Sequence, residues 1–386
     1  MTKQICKSEL CSGCSACANS CPSGCISMKP DPEGFIRPVI DSAVCVDCGL
    51  CVKTCPVNNI TEDDKKEPIT YACKCKNDGI LKNSSSGGIF TLLGQEIISR
   101  GGVVFGAGYD SEFNVVHKIA ATFEELEELR GSKYVQSSIG DTYKTAKNYL
   151  EKGADVLFTG TPCQISGLYA YLKKDYNYLY TQDIICHGVP SPAVWKIYLK
   201  HREDLAGSKA EKISFRDKSN GWKQYSLMMQ FKNGEYYCER NINDPYLRSF
   251  IMNMDLRVSC EHCSFKKIHR EADITLADFW GVDKVIPDWN DDTGISSVMI
   301  HSQKGGELFE RIKDKTVYTD VEFNECLKSN PSMTSSVPCN LLRKRFMKDA
   351  QKMPFDKLHD KYCGNGFISK LRRKAALVLR KIKEVL

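Results

Sequence analysis

Two cysteine runs constrain this chain more than any other feature. Cys11, Cys14, Cys17 and Cys21-Pro22 follow the spacing C-x2-C-x2-C-x3-C-P, and Cys45, Cys48, Cys51 and Cys55-Pro56 repeat it 34 residues later. Each half is too short to enclose a metal cluster alone. In this spacing three thiolates of one run reach one [4Fe-4S] cube, and the fourth, after the longer gap, ligates the other. The pattern therefore predicts one cluster on Cys11, Cys14, Cys17 and Cys55 and a second on Cys45, Cys48, Cys51 and Cys21. Each proline stops a short helix and turns the last thiol away. Small residues at Ser12, Gly13, Ala16 and Gly49 let backbone N–H groups approach the sulfurs, which tunes potential. Structural zinc competes for C-x2-C pairs, but zinc ribbons use two pairs, not two runs of four ending in Cys-Pro. Cys6 and Cys25 fall outside the pattern and read as bystanders.

The rest of the composition agrees. Twenty cysteines in 386 residues would suggest disulfides in a small secreted protein. The sequence before Cys6 has no apolar signal core, so the chain reads as cytoplasmic and its cysteines as metal-binding. No stretch approaches the roughly 20 apolar residues of a membrane span. Charge is uneven: residues 341–386 carry 14 Lys/Arg against 4 Asp/Glu, so the body is net acidic although the chain is +6. That distribution argues against a nucleic-acid enzyme, which would carry its basic residues on the working domain.

Four regions follow from the pattern: a cluster-binding domain over 1–60, a polar linker over 61–70, a large domain over 71–320 and a helical basic region over 321–386. The fold class expected is α+β, with the small iron–sulfur domain followed by a larger mixed-sheet α/β domain and a helical tail. Asn83-Ser-Ser-Ser-Gly-Gly88 opens a helix with Ile89, Leu92, Leu93 and Ile97 on one face. Such a loop can hold an anion on free N–H groups, or can be a plain capped turn. No G-x-G-x-x-G fingerprint occurs. Asp155–Thr159 and Tyr178–Cys186 read as strands, each followed by a helix, with Cys163 and Cys186 at the carboxyl ends where ligands collect in open α/β sheets. Cys260-Glu-His-Cys263 follows a predicted hairpin turning at Asn233-Gly234. Cys163, Cys186, Cys260 and Cys263 could hold a third [4Fe-4S] cluster. Equally, the first two could be buried apolar-like cysteines and the pair a zinc site or nothing. His187 and His262 read as neighbours rather than ligands.

Over residues 1–60 the sequence resembles the bacterial two-cluster ferredoxins. From Ser84 to Met299 it resembles the beta subunits of coenzyme F(420) (8-hydroxy-5-deazaflavin) hydrogenases and dehydrogenases. That second resemblance rests on Ser-Ser-Gly-Gly (85–88), Gly-Ser-Lys-Tyr-Val-Gln (131–136), Gly-Thr-Pro-Cys-Gln (160–164) and Cys-His-Gly-Val (186–189). Phe215-Arg-Asp-Lys218, the Cys260/Cys263 pair, Ala272-Asp-Ile-Thr and Asp278-Phe-Trp-Gly281 complete it. It implies an FAD flavoprotein with a cluster on Cys163, Cys186, Cys260 and Cys263, and with Ser86, Gly87, Gly88, Lys133 and Gln136 around the flavin. Electrons would pass between the [4Fe-4S] clusters and FAD, and on to a deazaflavin or another organic substrate. Reduced deazaflavin or ferredoxin would be the redox partner. The alternative is an electron-transfer subunit whose catalytic partner is another chain.

The tail places Leu371, Ala375, Val378, Ile382 and Val385 at three- and four-residue steps among Lys370, Arg372, Arg373, Lys374, Arg380, Lys381 and Lys383. It reads first as a helix packed on the body or a partner. The alternative is a basic amphipathic helix peripheral to the inner face of a membrane.

Overall fold

The duplication seen in the cysteine spacing recurs in the backbone. A computed structural model of the chain describes residues 4–60, 62–289 and 291–385, with side chains through 377. Helix Ala16–Asn19 in the first run has its counterpart 34 positions on in helix Leu50–Lys53. The residues leading into them share left-handed conformations: φ is +73° at Gly13 and +57° at Asp47, +64° at Ser15 and +68° at Gly49. Between the halves lies an antiparallel hairpin of β1 (Ile26–Pro30) and β2 (Ile36–Ile40). Asp31 Oδ1 accepts the N–H groups of Glu33 and Phe35, each at 3.0 Å, and so closes the turn.

That turn is driven into the large body. Gly34 has φ +85°, and a Cβ there would lie 2.5 Å from the Ala193 nitrogen. Phe35 is fully buried in one core with Trp195, Tyr198, Phe215 and Tyr246. The Arg343 guanidinium grips the Glu33 carboxylate, Asn19 Nδ2 donates to the Gly140 carbonyl at 2.9 Å, and Gln136 Oε1 accepts the Ile36 N–H at 2.9 Å.

The body is built on an eight-stranded mixed sheet ordered β13-β3-β12-β11-β7-β6-β4-β5. Its strands are β3 (Ile69–Cys75), β4 (Val103–Tyr109), β5 (Val115–Ala120), β6 (Val156–Thr159), β7 (Leu179–Ile184), β11 (Ile274–Asp278), β12 (Ser296–Ile300) and β13 (Thr316–Asp320). The central strands β4, β6, β7 and β11 run parallel, and β5, β12, β3 and β13 are added antiparallel. β6 is buried along its whole length, as a strand covered on both faces must be. Side chains alternate accordingly. Val104 and Leu157 face helix Ile89–Ser99, while Phe105, Val156 and Phe158 face helices Thr142–Glu151 and Pro162–Leu172.

A second sheet of β8 (Ala210–Asp217), β9 (Ser226–Phe231) and β10 (Tyr236–Arg240) is an antiparallel meander. The Asn233-Gly234 turn predicted from sequence joins its last two strands, with Gly234 at φ +88°. This sheet packs on helix Pro192–Ala206, which Ser191 caps by accepting the Val194 N–H and which Gly207 ends at φ +61°. Helices Arg343–Ala350 and Phe355–Tyr362 close the same core.

The final helix, Phe367–Val385, turns Ser369, Arg373 and Ala376 toward the body. Phe367, Ile368 and Leu371 stay exposed. The side chains of Val378, Ile382, Val385, Arg380, Lys381 and Lys383 lie outside the described residues. Among the described residues no helix is long and apolar enough to cross a membrane.

Candidate metal centres

The folded module gathers its cysteines across the duplication. Cys11, Cys14 and Cys17 line one recess together with Cys55 of the second run. Cys45, Cys48 and Cys51 line another, of about 260 Å³, with Cys21 of the first. The two cysteines read as bystanders sit in the same recesses. Cys6 hydrogen-bonds Cys11 and Cys55, and Cys25 Sγ lies 3.4 Å from Cys21 Sγ. Spacing could not show this, because the hairpin and the N-terminal turn return both thiols to the rings. The Cys6 hydrogen bond, working against burial, holds the Cys11 thiol down to about 5 and that of Cys55 down to about 7. Burial pushes Cys14 up to about 12.

A third ring forms in the body. Cys163 stands in the first turn of helix Pro162–Leu172, and Cys186 stands just beyond β7. Cys260 lies in the short 3-10 turn Val258–His262, and Cys263 ends it. Burial, then the neighbouring thiols, pushes Cys186 up to about 12 and Cys260 to about 11, with Cys163 moved the same way. Four thiolates gathered here would repel one another and need a cationic centre. A metal cluster supplies it, and binding would release the thiol protons. The Val189 N–H points at Cys260 Sγ at 3.4 Å, and Thr161 Oγ1 lies 3.1 Å from Cys163 Sγ. His187 is bound to Asn253 Oδ1 at 2.7 Å rather than to the ring, and His262 is exposed. Among the described residues no three His, Cys, Asp or Glu side chains close on one metal ion.

The first and third rings touch through a glycine. A Cβ on Gly167 would lie 3.0 Å from Cys14 Cβ and 3.1 Å from Cys14 Sγ. Cys163 precedes Gly167 by one helical turn, about 6 Å along the axis. The second ring is the outer one, with Cys48 exposed.

The motifs shared with the beta subunits meet in a polar seam. Arg216, buried, forms a bidentate pair with Asp278 (2.8 and 2.9 Å) and donates to the Ser85 carbonyl at 3.2 Å. Lys218 Nζ donates to the carbonyls of Leu81, Ser86 and Thr293 at 2.6–2.9 Å. The Ser132 N–H donates to Ser85 Oγ at 2.8 Å. Trp222 stacks on Trp280 at 4.9 Å.

Of the five residues expected around a flavin, Ser86, Gly87 and Gly88 follow Ser85, and Lys133 follows Ser132, which bonds to Ser85. Ser86 Oγ donates to the Ile295 carbonyl, and the Gly87 N–H to Ser296 Oγ, both at 2.9 Å. Gly88, at φ +83°, starts the Ile89 helix. Lys133 Nζ is spent on the carbonyls of Glu128, Leu129, Arg130 and Gly131 at the end of the preceding helix, and burial pushes it down to about 7. Gln136 lies on the loop of the first cysteine ring: a Cβ on Gly13 would meet its Nε2 at 2.7 Å. In this structure the polar atoms of Ser86, Lys133 and Gln136 bond to protein groups. Arg216 and Asp278 stand in motifs quoted from the sequence, but their pairing, like the role of Arg257, is not visible there. Their partners lie 62 or more residues away, and single-sequence spacing carries no sign of such pairs.

Comparison with known proteins finds two family models. Residues 10–59 match the 4Fe-4S dicluster domain. Residues 153–325 match the C-terminal part of the coenzyme F(420) hydrogenase/dehydrogenase beta chain family. Among solved structures, a chain from the xenon-derivatized F(420)-reducing [NiFe] hydrogenase complex of Methanosarcina barkeri aligns at 19% identity and a TM-score of 0.46, over 80% of this chain and 97% of that one. No curated protein matches the chain. The chain thus joins a 4Fe-4S dicluster domain to a domain of the coenzyme F(420) hydrogenase/dehydrogenase beta-subunit family.

Proposed function

We propose that this chain is an iron–sulfur oxidoreductase that relays single electrons through three [4Fe-4S] sites in series. The rings are Cys21/Cys45/Cys48/Cys51 at the surface, Cys11/Cys14/Cys17/Cys55 behind it, and Cys163/Cys186/Cys260/Cys263 in the body. Clusters bound there would each carry one electron. The observation that carries the reading is the contact of Gly167 with Cys14, one helical turn from Cys163. The chain's own part is to hold thiolates in order, keep water from the inner rings and fix their spacing. Anaerobic purification tests it: three clusters give about 12 iron atoms per chain and two give about 8. Cys163→Ser or Cys260→Ser should remove one cluster's worth of iron while the dicluster module stays reducible. Unchanged iron in both variants would remove the third site.

Transfer onward to FAD, and from it to a deazaflavin or another organic substrate, is the finer proposal. It is supported by the beta-subunit family match alone. Cofactor extraction followed by assays with reduced deazaflavin and reduced ferredoxin decides it.

A partner subunit or soluble ferredoxin is the second reading, supported by an apolar rim at the outer ring. Val46, between Cys45 and Cys48, is 66% exposed, with Val44 and Val52 beside it. Exposed apolar patches of this kind mark protein contacts. The C-terminal helix supports peripheral attachment to an anionic membrane, because its apolar Phe367, Ile368 and Leu371 face outward between Lys370, Arg372 and Lys374.

A further inference from the structure

Arg257 lies between the first and third cysteine rings and belongs to both. Its backbone is fixed in the body: its N–H donates to the Val189 carbonyl at 2.8 Å, and its own carbonyl accepts the Cys260 N–H at 3.0 Å. Its guanidinium crosses into the dicluster module. Nε donates to the Cys11 carbonyl at 2.7 Å, Nη2 donates to the Ile36 carbonyl at 3.2 Å, and Nη2 stands 3.7 Å from Cys11 Sγ. The Phe35 ring lies 5.3 Å from the cation. Nη1, next to Gly13, is buried and has no hydrogen-bond partner among the described residues.

The charge is not balanced by a carboxylate. Arg257 is 1% exposed, and among the described residues none of the ion pairs includes it. An uncompensated buried cation is strongly destabilising. Arginine stays protonated, so the charge cannot be relieved by losing a proton. The groups that answer it are the Cys11 sulfur first and then Cys260, with the Asp31 carboxylate weaker and the Arg37 guanidinium opposing them. A neutral glutamine or methionine would fill the same gap without the charge penalty.

We propose that Arg257 is the built-in counter-ion of the Cys11/Cys14/Cys17/Cys55 site, raising its reduction potential above that of the outer site. The inference rests on reading that ring as a [4Fe-4S] site. Each one-electron reduction makes a cluster more negative, and a fixed cation 3.7 Å from one ligand sulfur favours that state. Among the described residues no arginine lines the recess of Cys45, the equivalent of Cys11 in the second repeat. Arg257 neither gains nor loses an electron or a proton. Clusters held on the three rings would pass an electron between the outer and third sites by way of the inner one. Arg257 is therefore a positioning residue, and its effect is read as a potential.

The test uses the full chain, purified anaerobically with its clusters, and a redox titration followed by electron paramagnetic resonance. Arg257→Gln should make reduction of the inner site at least tenfold less favourable, which is 59 mV for a one-electron couple. The outer site should not move, and iron content should stay at the wild-type value. Arg257→Lys keeps the charge and should restore most of the shift. Gln136→Met removes the neutral clamp on Ile36 and should leave the potential in place. Equal shifts at both sites in Arg257→Gln, or no shift with full iron, would overturn the proposal. If the glutamine variant does not accumulate, the lysine variant decides: a tenfold loss there would show that geometry rather than charge sets the potential. A wild-type chain whose iron content excludes a cluster on the Cys11 ring would instead sink the reading on which the inference rests.

Discussion

Replacing Phe35 with alanine tests whether the dicluster module is part of the body or merely tethered to it. Phe35 is fully buried among Trp195, Tyr198 and Tyr246, residues of the large domain. Truncating a buried phenylalanine costs about 3–5 kcal/mol. The polar ties of Asn19, Glu33 and Ile36, and those of Arg257 to the Cys11 and Ile36 carbonyls, are worth about 0.5–1.5 kcal/mol each. Together they are comparable to what Phe35 supplies, so its loss should loosen the module without detaching it. At tenfold per roughly 1.4 kcal/mol, amide exchange over residues 31–40 should speed up by about 10²- to 10³-fold. Hydrogen-exchange mass spectrometry on anaerobic protein reads this, with Val39→Ala, exposed on the same module, as a control expected within about 0.5 kcal/mol. Equal exchange in the two variants would show that the module does not depend on this core.

Three further outcomes are expected. Asp255 is fully buried with Oδ1 unpartnered among the described residues, and burial pushes its carboxyl from 3.8 to about 7. The folded state therefore binds more protons than the unfolded one between those values. Stability should fall, by on the order of 4 kcal/mol, as pH rises from about 4 to 7. Asp255→Asn should flatten that fall and be the more stable protein at pH 7.5; parallel urea midpoints for the two across the range would refute it. Gly13→Ala should cost about 1–3 kcal/mol, since its Cβ would lie 2.7 Å from both Gln136 Nε2 and the Ile36 carbonyl. Asp47→Ala at the equivalent position of the second repeat should cost less, as read by thermal melting. Deleting residues 367–386 should abolish sedimentation with anionic vesicles and leave iron content unchanged; equal sedimentation would exclude membrane attachment through this helix.

Much of this architecture was legible because it is local. The strands around Val103–Tyr109 and Asp155–Thr159, the helix after Gly88 and the Asn233-Gly234 hairpin follow from short-range pattern and turn chemistry. The crossed cysteine rings follow from spacing alone. What was not legible depends on contacts between distant segments. Gln136 shares a short motif with Lys133, and nothing in that motif announces that the chain also brings it against Gly13. Cys6 and Cys25 break the spacing rule but return to the rings through the fold. The tail's amphipathic period showed an apolar face. It could not show that Ser369, Arg373 and Ala376 would be the residues turned inward.

The duplicated repeats share their short helices and the left-handed residues before them, and yet their surroundings differ. The first repeat has glycine where Gln136 and Arg257 press against it, and the second has an exposed aspartate at the matching place. A repeated unit standing alone offers a visiting electron two interchangeable seats. Burying one copy against a larger body ends that equivalence without changing a single ligand. A doubled gene segment thereby acquires an inside and an outside, and so a sense of traffic, from where it is attached.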